Sequence, residues 1–275
     1  MTIDSNSALT ELSLGSVQSI AGDLYVESNW ALPSLDLNAL NDIGQAIEFI
    51  GNDSLVSISA NSLEQSNDIF IHYNDALVEF SFDALTTTGG WGDFIRITGN
   101  PALANLDGLS SLTTVGHSLA VSHNAALTNV DGLANLSTVA GALSVHNNAS
   151  LTDIDGLSNL TTTGNYIRIA DNPALTNIDG LSNISEIPGN LQVTDNAVLT
   201  NVDGLSSLTT VEEFLRVTDN PAMTNVDGLS SLTTVGWDLE IHTNEALCQD
   251  SADAVIASCE VAGEVYTGMN EGDCP

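Results

Sequence analysis

The chain has 275 residues, enough for one or two domains, with 36 acidic residues against three cations and a net charge of −33. All three cations are arginines, and a surface so acidic repels nucleic-acid phosphates and anionic membranes. Hydrophobic residues make up 43% of the chain, too many for disorder, yet no apolar run is long enough to span a bilayer.

The opening segment, MTIDSNSALT, is polar and acidic and does not read as a signal peptide. Repetition starts almost at once. Asn6, Asn29, Asn52 and Asn74 begin loose copies, and from Asn100 the step is fixed at 24 residues: Asn124, Asn148, Asn172, Asn196, Asn220 and Asn244 follow. The first 90 residues hold the irregular copies, and 91–247 hold the regular ones. Within each unit an apolar-x-apolar pair precedes the Asn, as in Leu119/Val121, Leu143/Val145 and Ile167/Ile169, which predicts a strand with one face inward. The stretches LTTV and LTN(V/I/L)DGL predict short extended pieces separated by turns, and no unit carries a helical stripe of useful length.

Units this short bury their apolar side only by stacking. The expected fold is therefore all-β: a right-handed parallel β-helix or leucine-rich-repeat-like solenoid of about ten coils of 22–26 residues, roughly 50 Å long at the usual strand spacing. The Asn column is expected to turn inward and bond backbone from coil to coil. In each DGL, Gly is expected to take a positive φ and Asp to bond backbone two residues on. This aligns Asp107, Asp131, Asp155, Asp179, Asp203 and Asp227 in a column whose neighbours repel by roughly 0.9 kcal/mol in water. A row of calcium ions along that column is the one metal reading; no other cofactor is implied.

After Leu247 the pattern stops, and residues 248–275 read as a cap. SADAVIAS predicts a short helix capped by Asp250 or Ser251, and a disulfide from Cys248 to Cys259 or to Cys274 ties the end down.

The frame Leu119-x-Val121-x-x-Asn124-x-x-Leu127 resembles the leucine-rich-repeat family and the repeats of receptor L domains, and DGLSSLT is similar to internalin-type repeats. The resemblance covers roughly residues 20–247. It implies a right-handed solenoid, secreted or at a cell surface, that holds protein, peptide or glycan on an exposed face and carries out no catalysis.

Candidate binding residues lie where the columns stop being uniform. The outward residue between the two inward apolar ones reads Tyr25, Glu48, Phe70, Arg96, Ala120, Ser144, Arg168, Gln192, Arg216, Glu240, and it holds every cation of the chain. Each arginine has an aromatic two residues earlier, on the same face: Phe94, Tyr166 and Phe214. Stacking faces beside guanidinium forks make a ligand strip, with a protein or carbohydrate as partner. The plainer alternative is an arginine that offsets local acidity, near Glu213 or Asp219, while its stem packs on the ring. His72, His146 and His242 share a neighbouring column with His123 one place on, and read as solvated. Trp91 and Trp237 sit in the link before the strand as cap or edge residues.

Threonines form further rows. Thr128, Thr152, Thr176, Thr200 and Thr224 stand at coil pitch, which makes ice binding the rival function, and Glu186 breaks a second row. Coils 100–244 carry no insertions that would shape a cleft, and no nucleophile elbow, phosphate loop or metal-ligand spacing occurs, so the residues point to no enzyme.

Overall fold

The structure, a computed structural model, describes residues 1–89 and 94–274. Trp91 lies outside the described residues. The chain winds as a parallel β-solenoid, and among the described residues one face is a sheet of twelve parallel strands. These are β1 (Thr2–Asp4), β2 (Leu24–Glu27), β3 (Ile47–Ile50), β4 (Ile69–His72), β5 (Phe94–Thr98), β6 (Ser118–Ser122), β7 (Leu143–His146), β8 (Ile167–Ala170), β9 (Leu191–Thr194), β10 (Leu215–Thr218), β11 (Leu239–His242) and β12 (Val265–Gly268). Register is like on like. Leu119 pairs with Leu143, Ile167 with Leu191, and Val193 with Val217. The paired side chains are fully buried, so each coil completes its neighbour's core.

A second face is built from two-residue strands at the LTTV position, where Thr114 pairs with Thr138 and Thr138 with Thr162. It is split into a seven-stranded and a four-stranded sheet, and the break falls between Thr162–Thr163 and Glu186–Ile187, where Glu interrupts the Thr row. The third face changes character along the axis. In the early coils it is a small sheet of Ser34–Asp36, Ser57–Ser59 and Glu79–Ser81. In the regular coils the same side is a 3-10 turn at each DGL, from Asp131–Leu133 to Asp227–Leu229.

These turns correct the expected role of DGL. Gly132, Gly156, Gly180, Gly204 and Gly228 do not have positive φ. Each is glycine because an added Cβ would overlap the backbone carbonyl of the previous coil: Leu106 for Gly132, Val130 for Gly156, Ile154 for Gly180. Nor does the Asp make the backbone bond. Its own N–H donates to the side chain two residues earlier, as Asp131 does to Asn129 Oδ1 at 3.1 Å and Asp179 to Asn177 Oδ1 at 3.0 Å. The Asp carboxylate is left exposed.

Positive φ occurs elsewhere, at the residue before every ladder Asn. Ser5, Ser28, Gly51, Tyr73, Gly99, His123, Asn147, Asp171, Asp195, Asp219, Thr243 and Met269 all have φ between 51° and 71°. The left-handed residue ends the strand and swings the next side chain inward, at a cost of about 1 kcal/mol or more for each non-Gly residue. The inward Asn returns that cost. Asn124 N–H donates to Asn148 Oδ1 at 3.1 Å, and Asn148 Nδ2 donates back to the Val121 carbonyl at 3.0 Å. Asn29 through Asn244 are 0% exposed, so these bonds lie in the dry interior.

The coil pattern runs on past Leu247. β12 pairs with β11, and Asn270 Oδ1 accepts the Asn244 N–H at 3.2 Å. A helix, α1 (Gln249–Ser258), occupies this last coil, and among the described residues it is the one α-helix. Its N-cap is Cys248, without a side-chain cap bond, rather than Asp250 or Ser251. Ser251 Oγ instead accepts the Val226 N–H at 3.2 Å, docking the helix on the preceding coil. The disulfide joins Cys248 to Cys274. Cys259 is the C-cap of the same helix, roughly 16 Å along the axis from Cys248 by the rise per residue, which is beyond disulfide reach. No helix among the described residues is long and apolar enough to cross a membrane.

Candidate functional site

The parallel register makes the outward column a physical row. Phe70, Arg96, Ala120, Ser144, Arg168, Gln192, Arg216 and Glu240 are lateral neighbours on successive strands, and Tyr266 of β12 follows Glu240. Yet the three arginines do three different things. Arg216 stacks over Phe214 with 5.2 Å from guanidinium carbon to ring centre. Its Nε and Nη2 donate to both Glu240 carboxylate oxygens at 2.7 and 2.9 Å, a bidentate fork. That fork raises the arginine pKa and holds the Glu240 carboxyl below the usual range. The acid it mainly offsets is Glu240 on the next strand, with the charge of Asp219 adding in the same direction.

Arg96 lies between two rings, 5.6 Å from the Phe94 centre and 5.9 Å from that of Phe70 on the preceding strand. Among the described residues it makes no ion pair. Arg168 leans on Asp171 at 3.4 Å, with both side chains more than a third exposed, a loose contact worth little.

Arg96 and Arg168 border one groove of about 750 Å³. It exists because the two strands between them, β6 and β7, carry Ala120 and Ser144 where the flanking strands carry guanidinium stems. The trough spans three strand spacings, roughly 14 Å. Ser122 and Ser144 lie on its floor, Tyr73, His72 and His123 along one side, and Tyr166, Asn190 and Gln192 at the Arg168 end. No carboxylate lines it, in a chain with 36. Phe214 and Arg216 are not part of it, and Phe94 faces a smaller adjoining hollow.

The histidines are less solvated than their spacing implied. Burial, then the charge of Arg96, lowers the His72 pKa to about 4. Burial, then Arg168 and His123, lowers that of His146 to about 4. The His123 and His146 rings meet edge to face at 5.5 Å. Both low-pKa imidazoles are thus neutral donors and acceptors at neutral pH. In an NMR titration two of the five imidazoles should stay neutral down to about pH 4; two normal titrations at these positions would contradict the packing. The linkage sign follows. A lowered folded pKa gives stability that is present above the ordinary 6.5 and is lost as pH falls through about 4.

Two lining atoms are buried without a hydrogen-bond partner, His72 Nε2 and Asn190 Oδ1. His72 belongs to the histidine column read from the sequence, but its burial comes from neighbouring coils and was not legible there, and neither Asn190 nor Tyr73 stands out as a binding residue in the repeat. Tyr73 occupies a left-handed position and is 59% exposed, and its ring lies across Gly99, where a Cβ would come within 2.6 Å of it.

The rival columns are placed as follows. Thr128, Thr152, Thr176, Thr200 and Thr224 are exposed and lie outside the sheets. Thr152 and Thr176 Oγ1 each donate to the preceding coil's carbonyl at 3.0 Å, so their protons serve as staples between coils. Among the described residues, the Asp107–Asp227 column brings no three carboxylates within ligating reach of one another. Its members do feel each other: burial first, then Asp153, Asp179 and Asp131, raise the Asp155 pKa. Asp195, in a second acidic row with Asp171 and Asp219, is raised likewise. A raised folded pKa gives stability that is present below the ordinary 3.8 and is lost as pH rises through the raised value. Screening acts in the same direction as protonation. The melting temperature should therefore climb with NaCl, and CaCl₂ at equal ionic strength should add nothing further; a gain specific to calcium would restore the metal column.

Comparison of the chain with protein-family models and with curated protein sequences returns no match.

Proposed function

We propose that this chain is a non-enzymatic recognition module of the receptor L-domain and leucine-rich-repeat type, secreted or displayed at a cell surface, that holds a protein or glycan against its main sheet. The observation that carries the reading is the groove between Arg96 and Arg168. It gathers two of the chain's three cations around a polar floor, on a molecule whose remaining surface repels anions. Its floor and both arginines are strand positions, and its remaining lining residues directly flank strand ends, so it is largely preorganised and little ordering cost attends binding. The Cys248–Cys274 disulfide fits an oxidising compartment. Buried Asn rungs and the Leu-x-Val-x-x-Asn frame support the family assignment.

The test uses purified wild type and the double variant Arg96→Ser/Arg168→Ser on a glycan array and on a panel of purified acidic surface proteins. Signals of the wild type that drop about tenfold or more in the variant support the groove, given the usual strength of charge-assisted hydrogen bonds. Wild-type signals that survive the double substitution discard it.

A further inference from the structure

The groove's chemistry can be taken further, resting on the recognition reading above. We infer that its ligand is an acidic oligosaccharide laid along the solenoid axis, with one anionic group at Arg96 and a second at Arg168. Three features carry this. First, the two guanidinium groups stand at opposite ends of a trough roughly 14 Å long that no carboxylate lines, and the one acid touching either of them among the described residues, Asp171 beside Arg168, is held only loosely at 3.4 Å. Second, the two ends of the groove offer aromatic rings and polar side chains, Tyr73 and His72 beside Arg96 and Tyr166 and Asn190 beside Arg168. Aromatic faces accept the C–H side of a sugar ring, and the imidazole, amide and serine hydroxyl groups of the lining are the kind of partner that sugar hydroxyls bond. Third, the groove has no aliphatic pocket. Its apolar lining beyond the aromatic rings is Ala120, whereas a peptide's binding energy is concentrated in an apolar anchor buried in a pocket. The groove also lies on the face of a fully paired region of sheet, so no strand edge is free there to add a peptide strand.

The anion is a carboxylate or a sulfate; the guanidinium fork suits both, and the experiment separates them. Calorimetry would titrate the intact protein with an oligogalacturonate, its fully methyl-esterified form, a sulfated galactan oligosaccharide and a poly-glutamate peptide. About 0.5 M NaCl keeps the net charge of −33 from masking contact-range binding. At least one of the two acidic sugars should bind; the carboxylate and sulfate arms say which. The methyl ester should be weaker than the oligogalacturonate if carboxylate is the anion. Arg96→Ser and Arg168→Ser should each weaken the acidic sugar about tenfold or more. Tyr166→Ala should weaken the same sugar, and a melting curve run beside it separates lost binding from lost packing of this half-buried ring.

Three results would overturn the inference. Poly-glutamate binding as tightly as either acidic sugar, with the same arginine dependence, removes the sugar but leaves the groove as a recognition site. Equal binding of ester and acid, with the sulfated sugar silent, removes the anionic requirement. Silence from both acidic sugars removes the ligand class, while the protein panel still tests recognition itself.

Discussion

Replacing Asn148 with alanine is expected to destabilise the solenoid by about 3–5 kcal/mol. The side chain is 0% exposed and serves both neighbouring coils. Its Oδ1 accepts the Asn124 N–H at 3.1 Å, and its Nδ2 donates to the Val121 carbonyl at 3.0 Å and to Asn172 Oδ1 at 3.4 Å. Truncation leaves a buried N–H and a weakened carbonyl contact with no water nearby, each costing about 1–3 kcal/mol, and opens a cavity besides. The left-handed residue Asn147 loses the contact that made its conformation worthwhile. Asn148→Asp keeps the acceptor but turns an oxygen toward the Val121 carbonyl, so it should be no milder. Asn6→Ala is the control. Asn6 sits in the first coil and is exposed, and its side chain bonds only Asn29 Oδ1 and the Asp4 carbonyl, so its loss should cost less than about 1 kcal/mol. Because coil stability is set by nearest neighbours, the Asn148 variant should also broaden or split the urea transition at the weakened interface. A variant as stable as the wild type, with one sharp transition, would show that the Asn rungs decorate the core rather than hold it.

The parts of the fold that could be read from the sequence are those where one residue's chemistry has one use. An Asn recurring every 24 residues beside alternating apolar pairs can satisfy itself only by stacking on its own kind, and the ladder runs as that logic requires. Where the determinant is what approaches from another coil, the letters were silent. DGL looked like a turn needing a glycine's φ; it is a turn needing a glycine's missing Cβ. The last coil was hidden because α1 fills the usual turn, and Val265-x-Thr267 replaces the expected apolar pair. Asn270 stood 26 residues after Asn244, the same step as Asn74 to Asn100, and was the available clue. The binding face is a similar case. The column showed three equivalent arginines, but their difference lies in neighbours: Glu240 beside Arg216, and the two small residues Ala120 and Ser144 that leave a trough between Arg96 and Arg168. Glu240 was adjacent in the same column and could have been paired from sequence. The trough depends on side-chain volumes across four strands, and no single unit displays it.

The glycine of the DGL turn supplies the second large effect, and its sign runs against the usual expectation. Gly180→Ala places a methyl group at a buried turn position whose backbone alanine adopts easily, a backbone change that ordinarily stabilises by about 0.4–1 kcal/mol through the unfolded chain. Here the added Cβ would overlap the Ile154 carbonyl oxygen, lie 2.8 Å from its carbon, and press on the Leu157 Cβ at 3.3 Å. The obstacle is backbone, which cannot rotate aside as a side chain can. Relief therefore requires the two coils to part on this face, and the 3-10 turns Asp155–Leu157 and Asp179–Leu181 pack directly on each other there. Overpacking of this kind costs about 2–4 kcal/mol, which exceeds the entropic gain several-fold. Gly22→Ala is the matched comparison, since nothing lies within 4 Å of a Cβ there, and it should be neutral or slightly stabilising. Opposite signs for the two variants in urea melts are the expected result. Equal stability for both would mean that the coils stand further apart on the turn face than the structure has them, and that DGL recurs for its turn geometry alone. Opposite signs would explain why this tripeptide returns unchanged from Asp131 to Leu229: every regular coil presses on its neighbour at the same point.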